Sequence, residues 1–410
     1  MNKKSIAPKL RFPEFTDDWE QRKLGDVFKE YSEKNHLELP PLTIIQGKGT
    51  ILREESDRNL QYDKANLAGY KLVRKNDLIV HLRSFEGGLE RANTDGIVSP
   101  AYHMFHGDNT DTRFYYPFFR SKRFIDSLLK PHVYGIRDGK SIDIEGMKTI
   151  IIPVPFYEEQ RRIGDFIESM DNLITLYQRK LDNLKNIKKS MLQKLFPKKG
   201  EKYPEVRFKG FTDAWEQRKV GDYYEFKNGL NKGKEFFGKG TPIVNFTDVF
   251  HNRGLFPEML NGKVQLEPSE IKNYEVKKGD IFFTRTSETI EEIGYSSVML
   301  EEPKDTVFSG FVLRGRCLVH EDPLDNLFKK YVFTTKYFRA EMLKKSSITT
   351  RALTSGTAIK DMQFLYPSSK KEQYLIGMFL SNIDNLITLH QRKLDNLNNI
   401  KKGFLQQMFA

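Results

Sequence analysis

The side chains best suited to engaging a ligand are arginines set beside short hydroxyls at the ends of apolar runs. In HLRS, Arg83 and Ser84 follow NDLIV, and in FTRTS, Thr284, Arg285, Thr286 and Ser287 follow GDIF. A guanidinium presents a planar fork of donors that matches phosphate oxygens or the O6 and N7 edge of guanine, and Ser and Thr hydroxyls bond phosphates. A structural salt bridge is the alternative use of either arginine. Two further elements, YGIRDGKSIDIEGM with Arg137 and Lys140 and ITTRALTSGTAIKDM with Arg351, place Arg in turns rich in Gly, Lys and hydroxyls. Exposed amides and cations there suit phosphate contact, against the plainer reading of a surface loop. Arg91, together with Lys227, Asn228, Lys232 and Arg253, completes the candidate nucleic-acid contacts. All of this is binding chemistry.

Bond-making motifs are missing. GKEFFGKG (Gly233–Gly240) has the glycine spacing of a P-loop but puts Gly240 where the magnesium-binding Ser or Thr belongs, and no apolar strand precedes it. The sequence has no G-x-S-x-G, no H-E-x-x-H and no Asn/Asp-Pro-Pro-aromatic element of the kind that holds an extruded adenine. Its 8 His show no metal-ligand spacing, so neither a catalytic centre nor a metal site is expected.

Composition agrees with a polyanionic partner. Lys plus Arg exceed Asp plus Glu by 12, which creates a field that attracts nucleic acid by screened Coulomb forces and counterion release. With one cysteine, Cys317, the fold must be held by packing, as in a reducing compartment, and cytoplasm is the expected location. No run has the length and apolarity of a signal peptide or a membrane span. At 410 residues the chain should form two or more cores.

The elements that must position the arginines occur twice. RFPEFTDDWEQRKLGD (Arg11–Asp26) returns as RFKGFTDAWEQRKVGD (Arg207–Asp222), an offset of 196 residues. DNLITLYQRKLDNLKNIKK (Asp171–Lys189) returns as DNLITLHQRKLDNLNNIKK (Asp384–Lys402), an offset of 213. The inserts they frame, about 27–155 and 223–367, share little beyond the arginine elements and are rich in strand-forming runs. Apolar residues in steps of three or four mark an amphipathic helix: Met170, Leu173, Tyr177, Leu181 and Leu184, repeated as Ile383, Leu386, His390, Leu394 and Leu397. A stripe this long favours coiled-coil pairing, and the long return connection permits an antiparallel pair. The expected fold is α+β: recognition domains over 1–155 and 201–367, each followed by a long helix and its flank over 156–200 and 368–410, with an internal pseudo-two-fold repeat.

This layout resembles the specificity subunits of type I restriction and modification enzymes over almost the whole chain. The resemblance rests on WEQRKLGD and WEQRKVGD, on the GDIFFTRTS element, and on the EQ-x-x-I steps Glu159, Gln160, Ile163 and Glu372, Gln373, Ile376 that open the helices. It implies a non-catalytic bacterial protein that binds double-stranded DNA. Each domain would read half of a bipartite site, and the helices would set the gap and dock two methyltransferase subunits. Those partners would carry S-adenosylmethionine for adenine-N6 methylation, and restriction subunits would use ATP and Mg. The first insert departs from the pattern, with KNDLIVHLRS in place of KKGDIFFTRTS. Two competing readings are a self-sufficient DNA methyltransferase or nuclease, and a coiled-coil scaffold without DNA specificity.

Overall fold

A computed structural model describes residues 8–56, 64–81, 88–135, 141–348 and 351–409. The chain divides into unit 1, residues 1–178 with 392–410, and unit 2, residues 179–391. Each unit therefore holds one recognition domain, the start of the helix that follows it, and the end of the other long helix.

In unit 1 the principal elements are β1 (Glu20–Lys23), β2 (Lys29–Tyr31), β3 (Leu78–His81), β4 (Glu90–Arg91), β5 (Tyr102–His106), α1 (Thr112–Phe119), β6 (Ile151–Val154) and the start of α2 (Tyr157–Lys194). β1 pairs antiparallel with β6, with Glu20 opposite Val154. A separate antiparallel sheet runs in the order β2-β5-β3-β4. Unit 2 contains β7 (Glu216–Lys219), β8 (Tyr224–Asn228), β9 (Gly254–Leu255), β10 (Ile281–Thr284), β11 (Thr286–Ser287), β12 (Ser296–Met299), β13 (Val312–Cys317), α3 (Asn326–Val332), β14 (Ser347–Ile348), β15 (Ala352–Leu353), β16 (Gln363–Tyr366) and the start of α4 (Lys370–Met408). β7 pairs with β16 as β1 does with β6. The main sheet has the order β8-β13-β10-β12-β9, and only its last pair is parallel.

The apolar runs before the arginine elements are continuous because both faces of their strands are covered. Successive side chains of a strand point to opposite faces. In β10, Ile281 and Phe283 enter one core and Phe282 another; in β3, Leu78 and Val80 enter one core and Ile79 another. A run of this kind reads as a strand buried on both sides.

The two long helices carry the same seam. Burial follows Ile163, Ile167, Met170, Ile174, Tyr177, Leu181 and Leu184 on α2, and Ile376, Leu380, Ile383, Ile387, His390, Leu394 and Leu397 on α4. The steps alternate four and three, the heptad spacing of a coiled coil. One expectation needs correction here: Leu173 and Leu386 are 44% and 43% exposed, and the seam positions are their neighbours Ile174 and Ile387. From Met170, a step of four turns 40° past the starting direction and a step of three falls 60° short, so both residues lie near the stripe and packing against the partner helix selects the fourth. Within unit 1, the Phe166 and Phe404 rings meet at 4.5 Å and Lys401 pairs with Asp171. Within unit 2, Lys188 pairs with Asp384 at 2.6 Å. The helices thus run antiparallel inside each unit, through ion pairs related by the 213-residue repeat.

Each core is closed by the end of a long helix. Phe409 packs against Phe114 and Phe118 at centroid distances of 5.3 and 5.7 Å. Phe196 packs against Trp215 and Phe328 at 5.8 and 5.6 Å. Burying a side chain of this size contributes roughly 1.5–3 kcal/mol.

Candidate nucleic-acid interface

The repeated motifs meet in one clamp per unit. The Glu159 carboxylate is buried and accepts from Arg11 through Nε at 2.6 Å and Nη2 at 2.7 Å, and from Trp19 Nε1 at 3.1 Å. Glu372 does the same for Arg207, at 2.7 and 2.9 Å, and for Trp215 at 3.4 Å. Both arginines are held more basic than usual, chiefly by the bond to their glutamate. The adjacent glutamines are also buried: Gln160 accepts from Asp111 N and donates to Pro155 O, and Gln373 accepts from Asp325 N and donates to Pro367 O. Asp111 and Asp325 in turn cap α1 and α3. EQ-x-x-I therefore fixes three things to the start of a long helix: the opening segment of the repeat, the cap of a short helix, and, through Ile163 or Ile376, the core.

A second repeated device supports the arginine elements. Asp280, buried before β10, accepts from Lys277 N at 2.8 Å and from the Arg316 guanidinium at 2.8 and 2.6 Å. Asp77, buried before β3, accepts from Arg74 N at 2.9 Å and bonds the Tyr31 hydroxyl and His106 Nδ1. Arg316 and His106 occupy matching places, each on the strand beside the aspartate.

In unit 2 two elements found separately in the sequence become one surface. β11, with Thr286 and Ser287, pairs with β15, which follows Arg351, and β15 also pairs with β14. The Arg285 carbonyl accepts from Thr354 N at 3.0 Å, and Arg285 Nη1 donates to Gly310 O at 3.3 Å. Arg351 is 55% exposed and pairs with Glu288. Thr284 is fully buried, donating to Glu292 O and accepting from Tyr295 N, so its hydroxyl serves the turn.

The remaining candidates scatter. Lys227 donates to the Asn273 carbonyl and side chain, and burial together with Arg314 and Arg316 lowers its pKa; Asn228 ends the same strand, exposed. Lys232 pairs with Glu270 at 2.7 Å. Arg253 faces inward, donating to Ser296 O and Phe250 O, and burial pushes its pKa down to about 10. Arg91, on β4, lies over the Tyr116 ring at 5.6 Å. Arg83, Ser84, Arg137 and Lys140 lie outside the described residues. Among the described residues no cluster of His, Cys, Asp and Glu could hold a metal, and no helix is long and apolar enough to cross a membrane.

The structure also presents an exposed apolar set on the long helices, two members of which, Leu173 and Leu386, the sequence places in the pairing stripe. Leu173, Leu176 and Ile400 in unit 1, and Leu386, Leu389 and Ile187 in unit 2, are 38–49% exposed, each one residue before a seam position or, for Ile400 and Ile187, before an ion-paired lysine. Their signal in the sequence was recurrence: Leu173, Leu176 and Ile187 return 213 residues on as Leu386, Leu389 and Ile400.

The family model described as Type I restriction modification DNA specificity domain matches residues 16–186 and again 212–399. Among curated relatives, the type I restriction enzyme MjaVIII specificity subunit of Methanocaldococcus jannaschii is 23% identical over 98% of this chain and 93% of its own length. Two solved structures share the fold. The type I restriction-modification S subunit from M. genitalium has a TM-score of 0.58 at 14% identity, covering 99% of both chains. A chain from work on complex assembly and conformational transition of the type I R-M system has a TM-score of 0.50 at 16% identity, covering 96% of this chain and 97% of that one.

Proposed function

This chain belongs to the type I restriction modification DNA specificity family, and from that premise we propose how its two units divide the work. It is the DNA-recognition component of such a system and carries out no reaction itself. Each recognition domain reads one half of a bipartite site. The antiparallel helices hold the two readings at a fixed separation and dock two methyltransferase subunits, one on each exposed apolar trio. The methyltransferases bind S-adenosylmethionine, and the restriction subunits, which translocate DNA, use ATP and Mg.

The observation that carries this reading is the duplication of the whole support around unlike domains. Clamp, cap, seam, ion pair and apolar trio all recur in the second unit, while the surfaces they hold up differ. Two different surfaces on one repeated frame suit two different half-sequences. Within unit 2 the contact surface is the Arg285–Ser287 strand with its Arg351 neighbour, and Lys227, Asn228 and Lys232 border the same domain. Arg253, turned into the fold, is left out of that surface. In unit 1 the matching elements bear Arg83, Ser84, Arg137 and Lys140.

Base-resolution mapping of N6-methyladenine in cells with and without the chain tests this. A split motif should vanish with the chain, and exchanging residues 27–155 for another insert should change one half of the motif only. Loss of both halves on that exchange, or no motif at all, would overturn the reading.

A further inference from the structure

Unit 1 contains a groove of about 1170 Å³ between its recognition domain and the paired helices. Its walls include Lys48, Arg91, Tyr116, Lys122, Asn172 and Lys402. In unit 2 the helix corresponding to α1 is bonded to α4. Counting from the caps Asp325 and Asp111, the fifth and sixth residues are Lys330 and Tyr331 on α3 but Tyr116 and Pro117 on α1. Lys330 Nζ donates to Ser381 at 2.8 Å and Tyr331 donates to Asp384 at 2.7 Å, which draws α3 onto α4. Pro117 has no donor, and the Tyr116 hydroxyl is turned to Glu90 at 2.7 Å, so α1 makes no such closure.

The groove is cationic: its wall carries eight Lys and Arg side chains against Glu168 and Asp171. Arg113 is paired with three carboxylates, Asp111, Asp165 and Glu168, Arg120 with Glu90, and Lys401 with Asp171. Lys48, Arg91, Lys122 and Lys402 have no carboxylate partner among the described residues. The Arg91 Nε is buried and has no hydrogen-bond acceptor. The Arg91 and Arg120 guanidinium groups each lie 5.6 Å from the centre of the Tyr116 ring, a contact that helps to hold Arg91 in place. Four unpaired cations around one concavity repel each other, and an anion that enters relieves the repulsion and supplies the missing acceptor. β4, which carries Arg91, pairs with β3, the strand that leads into Arg83 in sequence.

We propose that this groove seats a sugar-phosphate strand of the DNA flanking the first half-site, so that unit 1 grips backbone which unit 2 does not. The proposal rests on the DNA-recognition reading above. An acidic segment of a partner protein is the competing occupant, but a lasting protein interface needs an apolar centre. Here Ile167 and Phe409 are already buried by the fold, and the half-buried Pro117 and Leu405 are too few to form such a centre. Asn172 and Thr175 supply an amide and a hydroxyl suited to phosphate oxygens.

The test uses the full chain assembled with its modification subunits and two duplexes of equal length, one carrying the mapped site and one unrelated. The variant is Lys48→Gln with Lys122→Gln and Lys402→Gln, three exposed positions whose thermal melting should match the parent. Each lost phosphate contact reduces the salt slope by about 0.9, so the parent should lose about 40-fold more affinity than the variant between 50 and 200 mM salt. At low salt the variant should bind both duplexes more weakly by a similar factor, and the triple Lys→Arg variant should restore the parent slope. An unchanged slope overturns the proposal. So does a relaxed base choice at the first half-site, or loss of a modification subunit with DNA affinity per complex intact. The underlying reading fails in a different way, with parent complexes binding both duplexes equally.

Discussion

The two units rest on the same frame and diverge at the surfaces that frame supports. At the base, Glu159 and Glu372 each bond an equivalent Arg and Trp. One layer up, the buried aspartate is kept, but its partner changes from His106 to Arg316. Further out, α3 is bonded down onto α4 through Tyr331, whereas α1 leaves a cationic groove. Divergence is least where the opening segments of the repeat meet the helix starts and reaches the long helices themselves at α1 and α3. A domain that must be clamped to a repeated helix keeps the clamp residues and is free to change its other contacts, including some on that helix.

The largest expected effect breaks the shared layer. Glu372→Ala strands the Arg207 guanidinium and the Trp215 indole beside buried surface, and removing one partner of a buried pair costs about 3–5 kcal/mol. Glu159→Ala should cost a similar amount in unit 1. The chain has 2 Trp, Trp19 and Trp215, one in each clamp. With the other Trp replaced by Phe, urea unfolding followed by fluorescence reads each unit separately. A loss under 1 kcal/mol in either unit would remove the clamp from the shared frame.

The second layer should respond unequally. Arg316→Ala removes a two-bond contact with buried Asp280, and a hydrogen bond to a charged group contributes about 1.5–3 kcal/mol. His106 is 50% exposed, and its loss should cost no more than about 1 kcal/mol, the range of exposed pairs. Equal losses in the two units would contradict the idea that the aspartate's partner has become stronger in unit 2.

The closest approach of domain to helix is also unequal. A Cβ at Gly377 would lie 2.5 Å from the Leu327 carbonyl carbon, while one at Gly164 would meet the Arg113 side chain at 3.1 Å. Backbone cannot move aside as a side chain can. Gly377→Ala should therefore cost about 1–3 kcal/mol, as overpacking does, and Gly164→Ala less, both read from thermal melting.

How much of this was legible follows from what kind of signal each part leaves. The duplicated frame was legible because identical strings recur, and the clamp could have been found from the joint recurrence of Arg11, Trp19 and Glu159 as Arg207, Trp215 and Glu372. The seam's phase was not legible, because Leu173 beside Ile174 and Leu386 beside Ile387 satisfy the same periodicity. Only the partner helix decides between them. Arg253 shows the limit of reading charge: a cation in a basic stretch gives no sign that its guanidinium is turned onto two carbonyls. The groove was invisible because Lys48, Arg91, Lys122 and Lys402 come from four separate stretches of chain.

The smallest expected effect on stability carries the largest consequence for assembly. Leu173 and Leu386 are exposed, so Leu173→Asp with Leu176→Asp, or Leu386→Asp with Leu389→Asp, should change stability by about 0.5 kcal/mol or less. Each pair should nevertheless remove one bound methyltransferase, since a charge on an apolar docking face must be desolvated without a partner. The stoichiometry of the purified complex would then fall from two methyltransferases to one for either pair, and to none for both pairs together. The internal repeat makes this a strict test: the two variants should behave alike even though the recognition domains beside them do not. If only one pair mattered, or if both lost stability instead of partners, the trio would belong to the divergent layer and not to the shared frame.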